Sequence, residues 1–115
     1  MTDSAAPATH GNLFAGRLAA GSEEIFDTLF ASANCRVERI VSFGHASPPG
    51  FWYEQDEDEW VVLLAGSAVL AFAEGRRLAM QAGDWVSLPA RCRHRVETVS
   101  DDALWLAVHC RADSA

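Results

Sequence analysis

The sequence predicts an all-β fold, a closed barrel or a two-sheet jelly roll, and three observations carry that prediction. From Cys35 onward the chain breaks into short runs rich in Val, Leu, Trp and Phe. Turn segments such as ASPPG, AGS, EG, QAGD and SDD separate these runs at close intervals, and no helical stretch intervenes. The candidate strands are CRVERIVSF, FWYEQ, EWVVLLAG, AVLAFAE, RRLAM, DWVSLP, HRVETV and ALWLAVHC. Strands this short with no crossover helix argue against a parallel α/β sheet.

Ahead of the strands, residues 1–12 are small and polar with Pro7 and Gly11, and read as a flexible arm. Residues 13–115 then form one domain, and 115 residues suffice for a single core that buries roughly two thirds of the unfolded surface. The first ordered element reads as a short N-terminal helix, SEEIFDTLF. Ser22 would cap it, Glu23 and Glu24 would face the positive end of its dipole, and Ile25, Phe26, Leu29 and Phe30 would form one apolar stripe.

Charge narrows the partners. Sixteen acids against nine bases leave a net charge of -7, which argues against nucleic acid or an anionic membrane as the main partner, since both need a basic face. The basic run Arg91, Arg93 and Arg95 is too short to reverse this. The start MTDSAAPATHGNLF lacks the basic and apolar segments of a signal peptide, and no apolar run approaches the roughly twenty residues that span a bilayer. Three cysteines, Cys35, Cys92 and Cys110, without CxxC spacing fit reduced thiols in small apolar packing sites. A soluble, cytoplasmic protein is expected. A catalytic cysteine is disfavoured, because Cys92 has arginines nearby but no evident base on a matching face.

Alternation along two strands picks out candidate site residues. In RHRVETV, Arg93, Arg95 and Glu97 share one face while His94, Val96 and Thr98 share the other, so His94 points inward. In EWVVLL, Glu59 is in phase with Val61 and Leu63. A carboxylate and an imidazole from distant strands thus enter one interior, where each must be paired or bound. Glu54, Asp56, Glu57 and Asp58 read instead as a hydrated turn. Of the aromatic residues, Tyr53 is the best ligand contact, because alternation puts it on the face of Gln55.

These residues resemble the cupin superfamily, the small bacterial single-domain members in particular. Gly83, Pro89 and His94 match the family's second motif at full spacing, with Arg91 in place of its second Gly and Thr98 in place of its Asn. Glu59 and Gly66 match the second half of the first motif, and Tyr53 and Gln55 stand where its two histidines are expected. The resemblance covers residues 36–110 and implies a cupin-type double-stranded β-helix, which is a jelly-roll barrel, and a homodimer. It also implies a divalent metal (manganese, iron, nickel or zinc) held by Gln55, Glu59 and His94, with Tyr53 and His45 as ligand-binding residues. His45 ranks above His109 as a pocket residue because it lies just before the ASPPG turn.

The loss of two imidazoles shifts the donor set toward oxygen. That lowers the expected affinity for zinc or iron and favours harder ions, manganese or magnesium, or no metal at all. The function implied is a small cupin that binds a small polar molecule in its barrel, with isomerase- or oxygenase-type chemistry supported by the metal. The alternative is a metal-free, non-catalytic ligand-binding or structural dimer in which Glu59 and His94 form a buried pair.

Overall fold

Residues 6–16 and 23–111 are described by the structure, a computed structural model. They form eight strands: β1 (Ile25–Ala31), β2 (Cys35–Val41), β3 (Asp58–Ala65), β4 (Ser67–Phe72), β5 (Arg77–Gln81), β6 (Trp85–Leu88), β7 (His94–Val99) and β8 (Leu104–Cys110). All pair antiparallel, in a five-stranded sheet of order β1-β2-β8-β3-β6 and a three-stranded sheet of order β5-β4-β7. Two facing sheets of this kind make the jelly roll that the strand pattern predicts.

The period of two sorts the side chains. Val61 and Leu63 of β3, Leu70 and Phe72 of β4, Met80 of β5, Leu88 of β6, and Trp105 and Ala107 of β8 are buried between the sheets. On the outer face of the large sheet the pattern inverts: Trp60 and Trp85 stand against each other at 6.0 Å and are well exposed.

The predicted N-terminal helix is not formed. Ser22, its expected cap, lies outside the described residues, and Ile25–Ala31 are strand β1, paired with β2 from Ile25↔Val41 to Ala31↔Arg36. A free-standing helix of two turns is marginal, whereas β2 offers a ladder for most of the backbone of β1. Ile, Phe and Thr also suit a pleated edge. A bulge between Thr28 and Phe30 absorbs Leu29, so the helix-like spacing of Phe26, Leu29 and Phe30 becomes a strand with Phe26 and Phe30 on opposite faces.

A second predicted strand, FWYEQ, is reduced to one bridge between Tyr53 and His94. Pro48 and Pro49 remove two donors just ahead of it, and the segment runs into the acidic turn. That turn is not simply hydrated. Arg91 meets Asp56 at 3.1 Å and Glu54 at 3.6 Å, Arg93 meets Glu54 at 3.7 Å, and Arg36 meets Glu57 at 3.4 Å. The basic run and the acidic run therefore neutralise each other across the segment. Asp58 already belongs to β3, where its Oδ1 accepts from the Ala90 amide at 2.8 Å.

Arg91, which stands at the second Gly of the family motif, adopts φ 72°. An L-residue in that region pays about 1–2 kcal/mol, while its exposed ion pairs return at most about 1 kcal/mol. Arg91→Gly is expected to raise stability by roughly 0.5–1 kcal/mol, read as a higher urea midpoint at unchanged slope. A lower midpoint would show that the ion pairs outweigh the backbone strain.

Candidate functional site

The space between the sheets does not close completely. A cavity of about 180 Å³ remains, walled by β1, β2, β3 and β8 on one side and by β7 and the Tyr53–Gln55 segment on the other. That is below the roughly 300–1,000 Å³ usual for drug-sized ligands, so the space suits only a small molecule. Its floor is apolar, formed by Ile40, Val61, Leu70, Leu88, Val96 and Trp105. Its polar groups converge from four places: Arg36 and Glu38 on β2, Glu59 on β3, His109 on β8, and His94 with Tyr53 and Gln55 opposite. Glu24 adds a further carboxylate, whose Oε2 accepts from Ser42 Oγ at 2.6 Å.

Register explains the convergence. Glu59 pairs with His109, and His109 pairs with Arg36, so the three project side by side from the same face of the large sheet. His94 is positioned differently. Its backbone exchanges hydrogen bonds with Tyr53, the Tyr53 amide to His94 O at 2.7 Å and the His94 amide to Tyr53 O at 3.1 Å. The Tyr53 ring stacks on the imidazole with centroids 5.5 Å apart. The imidazole Nδ1 lies 3.0 Å from Cys92 O, which makes Nδ1 the protonated nitrogen of the neutral ring and turns Nε2 toward Glu59.

Glu59 is the electrostatic centre. Burial pushes its carboxyl up to about 7, with Glu38 and Glu57 adding to the rise and Arg36 opposing it. His94 and His109 are both lowered, chiefly by burial, so both are neutral near pH 7. Glu59 Oε1 lies 3.9 Å from His94 Nε2, and Glu59 Oε2 lies 3.9 Å from His109 Nε2. Both exceed hydrogen-bond reach, so Glu59 and His94, the pair of the alternative reading, approach to the edge of ion-pair distance without a direct hydrogen bond. His109 Nε2 is nearer Glu38, at 3.3 Å, and its buried Nδ1 has no hydrogen-bond partner. Tyr53 is also raised, by burial and then by Glu24 and Glu59, and stays a neutral phenol.

Of the residues singled out from the sequence, Tyr53, Gln55, Glu59 and His94 line this cavity together, whereas His45 does not. His45 lies in the loop after β2, where its Nδ1 accepts from the Phe43 amide at 3.4 Å. His109 takes the place that sequence reasoning gave to His45. The alternation of Trp105, Ala107 and His109 in ALWLAVHC carried that signal, as did Arg36, Glu38 and Ile40 in CRVERIV.

The donors that the resemblance implies are weak ones for a divalent ion. Tyr53 is held protonated, Gln55 offers a neutral amide, and among the described residues no three His, Cys, Asp or Glu side chains are placed to hold a metal. Nor is any described helix long and apolar enough to cross a membrane.

Comparison with solved structures supports the fold and the topology. A protein of Ralstonia eutropha JMP134, described as a candidate mannose-6-phosphate isomerase, is 44% identical, superposes with a TM-score of 0.88, and covers 91% of this chain and 100% of its own. A cupin superfamily protein of Desulfitobacterium hafniense DCB-2 is 17% identical with a TM-score of 0.75, over 92% of this chain and 94% of its own. Among curated proteins none matches. The cupin domain family matches residues 41–109, a span running from the end of β2 to His109. With the two-sheet architecture, this establishes that the chain belongs to the cupin domain family.

Proposed function

We propose that this cupin binds a small polar molecule, uncharged or cationic, in the inter-sheet cavity and moves a proton on it without a metal, as an isomerase does. The observation that carries the proposal is the place of Glu59 on the cavity wall, its two carboxylate oxygens each 3.9 Å from a histidine Nε2, His94 on one side and His109 on the other, where burial pushes its carboxyl up to about 7. A group poised there both takes and returns a proton at neutral pH. In a hydroxy-carbonyl substrate the ionised Glu59 would take the proton from the hydroxyl-bearing carbon beside the carbonyl and return it to the former carbonyl carbon, while the hydroxyl proton passes to the former carbonyl oxygen, so that hydroxyl and carbonyl exchange places. Meanwhile the Tyr53 hydroxyl, a neutral phenol on the cavity wall, would hydrogen-bond the oxygen on which charge develops. The description of the Ralstonia protein supports isomerase-type chemistry.

The electrostatics disfavour a phosphorylated substrate. Glu24, Glu38 and Glu59 line the cavity against one arginine, Arg36, and that arginine is already engaged by Glu38 at 3.5 Å and Glu57 at 3.4 Å. A phosphate dianion would meet net negative charge in a partly desolvated site.

The test is deuterium exchange. Incubating the protein in heavy water with small aldoses and ketoses, each with and without a phosphate group, should put deuterium beside the carbonyl of the unphosphorylated compounds only, as read by NMR. Exchange confined to the phosphorylated compounds would overturn the charge argument. Exchange that appears only after adding manganese, iron, nickel or zinc, with one bound equivalent lost in a Gln55, Glu59 or His94 variant, would overturn the metal-free reading. Binding without exchange would leave a non-catalytic binding module.

A further inference from the structure

Cys35 opens β2 and Cys110 closes β8, and 75 positions of sequence separate them. They are direct partners in the ladder, and their sulfurs stand 3.0 Å apart as free thiols. The Arg111 amide donates to Asn34 O at 2.7 Å, so the adjoining Cys35/Cys110 pair is the non-hydrogen-bonded kind, whose Cα atoms lie about 4.5 Å apart. A disulfide accepts Cα separations of about 4.4–6.8 Å, and closing the sulfurs to a bond of about 2.05 Å needs only side-chain rotation. No other cysteine competes for either sulfur, because Cys92 lies in the turn before β7 and packs against the core.

Both sulfurs are on the outer face of the large sheet, since the adjoining Arg36 and His109 face the cavity. They are half-buried and so remain open to a small reagent. We infer that Cys35 and Cys110 form a redox-active dithiol site whose co-substrate is a low-molecular-weight disulfide. One thiolate attacks a sulfur of the reagent, forming a mixed disulfide and expelling one reagent thiolate. The second cysteine then attacks the protein sulfur of the mixed disulfide and expels the other. The protein dithiol loses two electrons and two protons, and the reagent disulfide gains them as two thiols. The hydrogen bond from Cys35 pushes the Cys110 thiol up, with burial, the Cys35 sulfur and then Asp58 and Glu57 adding to it; Asp58, the other ladder partner of Cys110, and Glu57 beside it make this end of the sheet acidic. A cationic disulfide should therefore react faster than an anionic one.

The site is independent of the proton-transfer reading. It does bear on the cavity, because the bond would tie β2 to β8 one residue from the Arg36/His109 pair.

The probe is cystamine, a small cationic disulfide, with oxidised glutathione as the anionic comparison, applied to the full-length protein. Titratable thiols should fall from three to one. The intact mass should drop by two hydrogens, the peptide map should join Cys35 to Cys110, and cysteamine should reverse the change. The bond closes a long loop, so the thermal midpoint should rise by roughly 10 °C. Cys35→Ser or Cys110→Ser should instead stop at a stable mixed disulfide, and the wild-type measurements hold even if such a variant folds poorly. A persistent mixed disulfide on the wild type, a bridge involving Cys92, or a covalent dimer on a non-reducing gel would overturn the assignment.

Discussion

Glu59→Gln should make the protein more stable above neutral pH while removing proton transfer. In the folded chain the Glu59 carboxyl holds its proton up to about pH 7, whereas the ordinary value is 4.5. Between those values folding takes up a proton. Stability therefore falls as pH rises through the window, is fully present below 4.5, and levels off above 7. The shift corresponds to about 3 kcal/mol, reduced somewhat because the group is not completely buried. Gln mimics the protonated form at every pH, so the variant should gain roughly 2–3 kcal/mol at pH 8 and nothing at pH 4. Urea unfolding of both proteins from pH 4 to 8 measures this, and two parallel curves would show that Glu59 is ionised like an ordinary carboxylate. Deuterium exchange by the variant should fall to background, since an amide neither takes nor returns the proton. Gain of stability with loss of activity would mark Glu59 as a group kept at a cost to the fold.

The largest loss of stability is expected at Gly66, where β3 leaves the large sheet for β4 in the small one. Its φ of 86° disfavours any L side chain, and a Cβ there would lie 2.5 Å from Ser100 Oγ and 2.9 Å from Ala103 Cα. Ser100 Oγ is committed, accepting from the Ser67 amide at 2.9 Å, and Ala103 contributes backbone that cannot swing aside. Backbone strain of about 1–2 kcal/mol adds to the clash, so Gly66→Ala should cost roughly 3–4 kcal/mol. Gly75, with φ 105° and open space around it, separates the two causes: Gly75→Ala meets the strain alone. Equal midpoints in urea for the two variants would show that the packing around Gly66 carries no cost of its own.

Strand order in space is written in long-range partners, but strand identity is largely local, and that difference sets what the sequence disclosed. The seven runs from Cys35 to Cys110 that became β2 to β8 declare themselves by alternation and by turns, and inward-facing Glu59 and His94 follow from the same rule. Ile25–Ala31 failed the rule because a bulge at Leu29 imitates helical spacing, and only the presence of β2 alongside decides the matter. FWYEQ failed it because a strand needs a partner along its length, and His94 offers a partner at one residue. The site was half visible for a related reason. Spacing to Glu59 disclosed Tyr53 and Gln55; alternation alone puts Arg36, Glu38 and His109 on the inward faces of their strands, but which strands stand together, and so that these residues meet Glu59, is set by pairings the sequence does not spell out.

The two sides of the cavity are fastened unequally. Glu38, Glu59 and His109 ride on β2, β3 and β8, whose continuous ladders hold them in a fixed triangle. Tyr53 and Gln55 ride on a segment attached through the paired amides of Tyr53 and His94 and the Arg91 amide to Gln55 O, at 2.7–3.1 Å. On the proposed reading, the acid–base group and the surface that reads the ligand are therefore separate inheritances of the chain. A cassette spanning the loop between β2 and β3 could be exchanged for one of different length and chemistry, redirecting what the protein selects while leaving the proton-handling carboxyl where the sheet has set it.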